Sequence, residues 1–202
     1  MDIGDFFRFL LKMNVSGSQL KKDIEYLRNN LKEYKSKLVP FTSHEMELLS
    51  LNQSNKITTK GFNITTKGIF DTIYYEHLVA YIIKNYSNGH TLTLISTSKD
   101  EFIYLNKGNM THIYMNNEEA GILNNQGDFI GLDNKKLAFI DGADHLPTHA
   151  VWIGQSNIGF ISNPKLKEKT IPRAFSLLKE MNAREQSIFL CLTLINLVEE
   201  SQ

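Results

Sequence analysis

The apolar residues of this chain recur with two different periods. Leu20, Ile24, Leu27, Leu31, Tyr34 and Leu38 are spaced four, three, four, three and four apart, a heptad seam. That spacing returns to one side of an α-helix every seven residues, so it predicts a helix from about Ser18 to Lys37, stopped by Pro40. Ahead of it Ile3, Phe6, Phe7, Leu10 and Leu11 form a second short apolar face, with Gly17 between the two, which predicts a helical hairpin. SHEMELL (Ser43 to Leu49) adds a further turn of helix before the pattern changes.

From Ile57 to Pro164 the pattern becomes short runs rich in β-branched and aromatic residues, cut by turn signals. TLTLIS (Thr91 to Ser96), EFIYL (Glu101 to Leu105), MTHIYM (Met110 to Met115), AGIL (Ala120 to Leu123), DFIGL (Asp128 to Leu132), KLAFI (Lys136 to Ile140), AVWIG (Ala150 to Gly154) and IGFIS (Ile158 to Ser162) read as strands. Gly89, Gly108, Gly127 and Asp141-Gly142 punctuate them, which predicts an antiparallel meander. TIYYEHLVAYIIKNY (Thr72 to Tyr86) is too continuously apolar for its period to separate helix from strand, and we read it as strand. ITTKG occurs twice, at Ile57 to Gly61 and at Ile64 to Gly68. The copies are either two edges of one hairpin turning at Phe62-Asn63 or a chance duplication. A looser echo pairs AGILNN (Ala120 to Asn125) with IGFISN (Ile158 to Asn163); in each a glycine precedes two apolar residues and a turn.

The chain closes with REQSIFLCLTLINLVEESQ. Asn182 three residues before Glu185 is a capping box, so a helix starts there and runs to about Glu200. The apolar run from Ile188 to Val198 is about half the roughly 20 residues a membrane-spanning helix needs. Gln186, Thr193, Asn196 and Glu200 fall on one narrow stripe, broken by Phe189, and apolar side chains cover almost everything else. A helix so apolar on all sides is enclosed by protein. Cys191 in its middle is then a small buried hydrophobe.

Composition narrows the function classes. Lys plus Arg and Asp plus Glu number 22 each, so no global field draws the chain to nucleic acid, and an electrostatic partner must be read by a local patch. A single cysteine excludes an internal disulfide or a cysteine-based zinc site. Asp2 and Asp5 stand where a secretory signal needs positive charge, so the expectation is a cytoplasmic protein, and sequons such as that at Asn63 carry no glycan.

An antiparallel meander with glycine-led strand ends at AGILNN and IGFISN, followed directly by this apolar tail, resembles the tubby C-terminal-like superfamily. That superfamily also contains the phospholipid scramblases and the LURP-one-related proteins. The resemblance implies a β-barrel closed around a central hydrophobic helix, here Ile57 to Gln202, and docking on anionic lipid or phosphorylated ligands. The segment before the tail, NPKLKEKTIPR, is basic where scramblases carry an acidic calcium-binding stretch, and there is no cysteine cluster for acylation. Scramblase activity is therefore not carried over.

Two clusters hold functional side chains. DGADHLPTHAVW brings together Asp141, Asp144, His145 and His149, the residue types that hold a divalent cation or act as an acid and base pair. Pro147 keeps the two histidines off one helical face, and Asp141-Gly142 also serves as a hairpin turn, so a plain polar loop is the competing reading. The second cluster is Lys165, Lys167, Lys169 and Arg173, with Lys60 and Lys67 as outlying members. Such cations attract phosphate head groups at about 1 kcal/mol each near an anionic bilayer, or simply solvate a connection that Glu168 dilutes. No Gly-rich phosphate loop, G-x-S-x-G elbow or dinucleotide fingerprint occurs, so no cofactor is expected.

The expected fold is α+β and mainly antiparallel β, a barrel wrapped around a buried C-terminal helix, with residues 1–40 as a helical N-terminal element and 41–202 as the barrel. A sandwich with the helix on one face is the alternative. The leading functional expectation is a non-enzymatic binding module, with an anionic membrane surface as partner and a peripheral membrane location. An assembly protein oligomerising through Leu20, Ile24, Leu27, Leu31, Tyr34 and Leu38 is second. Membrane-surface binding by Phe6, Phe7 and Phe9 is a further reading of the N-terminus, and a metal-dependent enzyme at Asp141 to His149 is third among the functions.

Overall fold

The computed structural model describes residues 17–59, 64–87, 89–166 and 173–200. The heptad seam forms helix α1, Gly17–Lys35, and its last turn carries Lys32 and Lys35, cations that complement the carbonyl end of a helix. The first arm of the expected N-terminal hairpin, including Phe6, Phe7 and Phe9, lies outside the described residues. A short helix α2, Ser43–Leu48, is capped by Thr42, whose hydroxyl accepts from the Glu45 N–H and donates to its carboxylate.

Twelve strands then follow as a single antiparallel meander in which every strand pairs with the next in sequence. They are β1 (Leu49–Thr59), β2 (Ile64–Thr72), β3 (His77–Asn85), β4 (Thr91–Ser96), β5 (Glu101–Asn106), β6 (Met110–Met115), β7 (Glu118–Asn124), β8 (Asp128–Ile130), β9 (Lys136–Asp141), β10 (Thr148–Ile153), β11 (Ser156–Ser162) and β12 (Phe175–Leu177). Arg173, ahead of β12, bridges Ser50 of β1, and the Ala174 N–H donates to Leu49 O at 2.6 Å. The sheet is thereby bent into a nearly closed barrel, which leaves few unpaired edge groups.

The tail is the barrel's core. Helix α3, Ala183–Glu200, begins at the Asn182–Glu185 capping box, in which each residue's N–H donates to the other's side chain, at 2.9 and 3.0 Å. From Phe189 to Ile195 every residue is buried, together with Leu197 and Val198. The buried Thr193 satisfies its hydroxyl on Phe189 O at 2.8 Å. Phe70, Tyr81, Phe102, Tyr104, Ile113, Phe129, Val151 and Phe175 line the inner wall around this helix, and Phe175 meets Phe189 edge to face with ring centres 5.0 Å apart. Each large side chain so enclosed is worth roughly 1.5–3 kcal/mol relative to exposure.

A second core lies outside the barrel. Leu20, Ile24, Leu27, Leu31 and Tyr34 of α1 are buried against Ile69, Ala80, Ile82, Leu92, Leu94, Ile103, Leu105 and Tyr114, the outward residues of β2 to β6, with Leu38 partly buried at its margin. β3 is consequently covered on both faces: Val79, Tyr81 and Ile83 point inward while Ala80 and Ile82 point to α1. That double burial erases the period-two signal and explains why the segment Thr72 to Tyr86 was ambiguous. It is neither one helix nor one strand, because β2 ends at Thr72 and a turn through Tyr75, at φ 65°, precedes β3.

The two ITTKG copies do pair as β1 and β2, with Thr58 opposite Thr66. β1 begins at Leu49, eight residues before the expected Ile57, and β12 carried no sequence signal. The glycines of AGILNN and IGFISN share a reason. A Cβ on Gly121 would lie 2.3 Å from Ile130 O, and one on Gly159 would lie 2.4 Å from Ser176 O. Each marks a place where the next strand's backbone crosses too close for a side chain.

Candidate functional site

The strand ends bring the β9–β10 loop beside the start of the basic segment at Lys165. Asn163, buried in the turn after β11, donates its side-chain amide to Asp144 O at 2.8 Å and Leu146 O at 3.1 Å, and its N–H to Pro147 O at 2.9 Å. Its own side-chain oxygen accepts from the Lys165 N–H at 3.0 Å. This one side chain ties the β9–β10 loop to the start of the basic segment.

Within that loop Asp141, Asp144 and His145 are exposed and His149 is buried. The His149 ring lies under Gly142, where a Cβ would meet it at 2.4 Å. Its Nε2 sits 3.1 Å from Ala143 O, and because a carbonyl only accepts, that nitrogen carries the proton and is not a free metal ligand. Among the described residues no three His, Cys, Asp or Glu side chains lie close enough to hold a metal ion. The set Asp141, Asp144, His145 and His149 is therefore adjacent in sequence without converging in space, and its ordered member works as a loop pin.

The basic cluster is brought together only in part. Lys165 and Arg173 are both exposed, and the Ser162 hydroxyl donates to Arg173 O, while Lys167, Lys169 and the outlying Lys60 lie outside the described residues. Lys67 is elsewhere, its ammonium 4.7 Å from the centre of the Tyr34 ring. Asp144, also exposed, stands on the loop that Asn163 joins to Lys165. As for the seam, Leu20, Ile24, Leu27, Leu31, Tyr34 and Leu38 face the barrel wall. A dimer built through the same residues would first have to lift α1 off the sheet.

Three polar networks fasten these parts and were invisible in the sequence because their members are far apart in it. Asp23 of α1 pairs with Lys84 of β3 at 2.7 Å, and also accepts from Tyr86 Oη at 2.7 Å and Gln19 Nε2 at 2.9 Å. Burial first, and then the Asp23 carboxylate, raise the Tyr86 phenol far above its ordinary pKa. Arg28 forks onto Glu101 at the start of β5. Buried Asp71 accepts from His77 Nδ1 at 2.7 Å, Ser54 Oγ at 3.1 Å and Asn52 Nδ2 at 3.3 Å, tying β1 to the β2–β3 turn.

The feature that sequence reasoning missed is a cleft of about 420 Å³ at the end of the barrel where α3 enters. Met115, Phe129, Leu132, Leu137, Ile188 and Cys191 form its apolar wall, and Arg184, Ser187 and Asp133 stand at its margin. It exists because β8 is three residues long and the first turns of α3 carry Arg184 and Ser187 instead of bulky apolar groups, so helix and wall do not meet there. The volume falls in the range of small-ligand sites, about 300–1,000 Å³. Cys191 brings no reactive thiol to it, since burial and then the Asp100 charge push its pKa up to about 12. A neighbouring cleft of about 430 Å³, also reached by α3 through Gln186, has a mixed lining of Ser43, His44, Glu47 and Glu180 with Met46, Leu177 and Met181.

Compared with known protein families, characterised proteins and solved structures, the chain finds no match. Among the described residues no helix is long and apolar enough to cross a membrane.

Proposed function

We propose that this protein is a non-enzymatic binding module that takes a small, largely apolar ligand at the α3 end of its barrel. The observation that carries the reading is the cleft between α3, β6 to β9 and the β8–β9 turn, whose wall is apolar. Two buried titratable groups elsewhere are engaged structurally: Asp71 accepts three donors and His149 holds a loop carbonyl. The barrel around a C-terminal helix is the arrangement the tubby-like resemblance implies, and it supports placing the chain there. The test is titration with the fluorophore N-phenyl-1-naphthylamine. Saturable binding by wild type that is lost in Ser187→Trp, which fills the cleft from its solvent side, supports the reading. Binding that survives the substitution unchanged removes it.

Docking on an anionic surface is the second reading, favoured by the exposure of both Lys165 and Arg173. Co-sedimentation with anionic liposomes that weakens with salt and is abolished in Lys165→Glu/Arg173→Glu would support it. Equal sedimentation of the double variant would reject it.

A further inference from the structure

The charges around the cleft are unequally engaged. Asp133 lies 3.0 Å from the Lys135 ammonium, and its carboxyl is held below its usual range by that lysine. Glu185 accepts from the Asn182 N–H at 3.0 Å and the Lys179 ammonium at 3.1 Å. Ser187 donates its hydroxyl to Ala183 O at 3.0 Å. Arg184 is different: it is exposed at the margin and has no ion pair among the described residues. It sits in the first turn of an 18-residue helix, where the aligned peptide dipoles add positive potential. The cleft thus offers an apolar floor and one unmatched guanidinium at its mouth, and a guanidinium presents paired donors that fit a carboxylate or phosphate.

We propose that the ligand is a small amphiphilic anion, an apolar body against Phe129, Leu137 and Ile188 with a carboxylate or phosphate head on Arg184. This rests on the cleft being the ligand site. A cation at the same position would meet Arg184 with like charge, and a neutral alcohol would leave the guanidinium to water alone, so the head group decides affinity among compounds with the same body.

The test is competition for N-phenyl-1-naphthylamine by decanoate, decyl phosphate, decanol and decyltrimethylammonium, each below its micellar concentration, on wild type, Arg184→Gln and Arg184→Lys. A charged hydrogen bond at this partly exposed mouth predicts that decanoate or decyl phosphate competes about tenfold better than decanol, with the preference shrinking as salt is added. Arg184→Gln should abolish the preference while leaving decanol binding unchanged, and Arg184→Lys should restore part of it. Whichever of the two anions competes better identifies the head group. Equal competition by decanol and the anions in wild type would overturn the head-group assignment and leave the cleft reading standing. Failure of the fluorophore or of every decyl compound to bind would overturn both.

Discussion

The buried pair Asp23–Lys84 allows a quantitative test of how α1 is held. The two side chains are 6% and 8% exposed and 2.7 Å apart. In Asp23→Leu the Lys84 ammonium loses its counter-charge and keeps only the face of the Tyr86 ring, 5.2 Å away, worth about 0.5–1 kcal/mol. Stranding a buried charge costs about 3–5 kcal/mol, and the orphaned Tyr86 hydroxyl adds about 1–3. Lys84 can extend its stem towards water and recover part of this, so the net expectation is a loss of about 3–4 kcal/mol. Replacing both partners, Asp23→Leu/Lys84→Met, removes the desolvated charges together and should leave mainly the orphaned Tyr86 hydroxyl, a loss of about 1–3 kcal/mol that is smaller than that of Asp23→Leu alone. Urea unfolding followed by Trp152 fluorescence, on β10 and distant from α1, reads global stability; amide exchange along α1 reports whether the helix detaches first. A single variant that costs less than about 1 kcal/mol, or a double variant as unstable as the two singles added, would refute the account.

Three further outcomes follow from the geometry. Gly121 has φ 151° and its absent Cβ would lie 2.3 Å from Ile130 O, so Gly121→Ala should cost at least about 2 kcal/mol, read as a fall in Tm. His112 is buried, and burial followed by the Lys107 charge lowers its pKa from 6.5 to about 4. The unfolded chain therefore binds its proton more readily: stability from this residue is complete above pH 6.5 and is lost as pH falls towards about 4, by up to about 3 kcal/mol. His112→Gln should flatten the acid limb of a Tm–pH curve, and an unchanged slope would refute this. Cys191, with its pKa pushed up to about 12, should resist a thiol-specific disulfide reagent at pH 8 in the native protein and react at once in urea; rapid native reaction would mean that α3 is not sealed in the barrel.

Much of this architecture was legible because local backbone geometry imprints its period on the chain. The seam from Leu20 to Tyr34 found its helix, the Asn182–Glu185 pair found its cap, and eight runs from Thr91 to Ser162 became strands β4 to β11. The uniformly apolar tail told that something must enclose it, and a nearly closed barrel does so. β12 was illegible because three residues give no period, and β3 because α1 and α3 bury its two faces at once.

The site was settled by contacts between residues remote in sequence. Asp141, Asp144, His145 and His149 lie close along the chain, yet no three of them come together around one point, and His149 turns onto a backbone carbonyl. Arg184 and Phe129 are far apart along the chain and share one cleft. The sequence by itself determined most of the helix and strand segments, β4 to β11 among them, and that the tail is a core, since those follow from neighbours and solvent exclusion. Only the tertiary structure decided that the heptad seam covers the sheet, that Asp23 meets Lys84, and that a short β8 leaves space beside α3. Those outcomes depend on which surfaces are brought together when the barrel closes, and no local pattern encodes that.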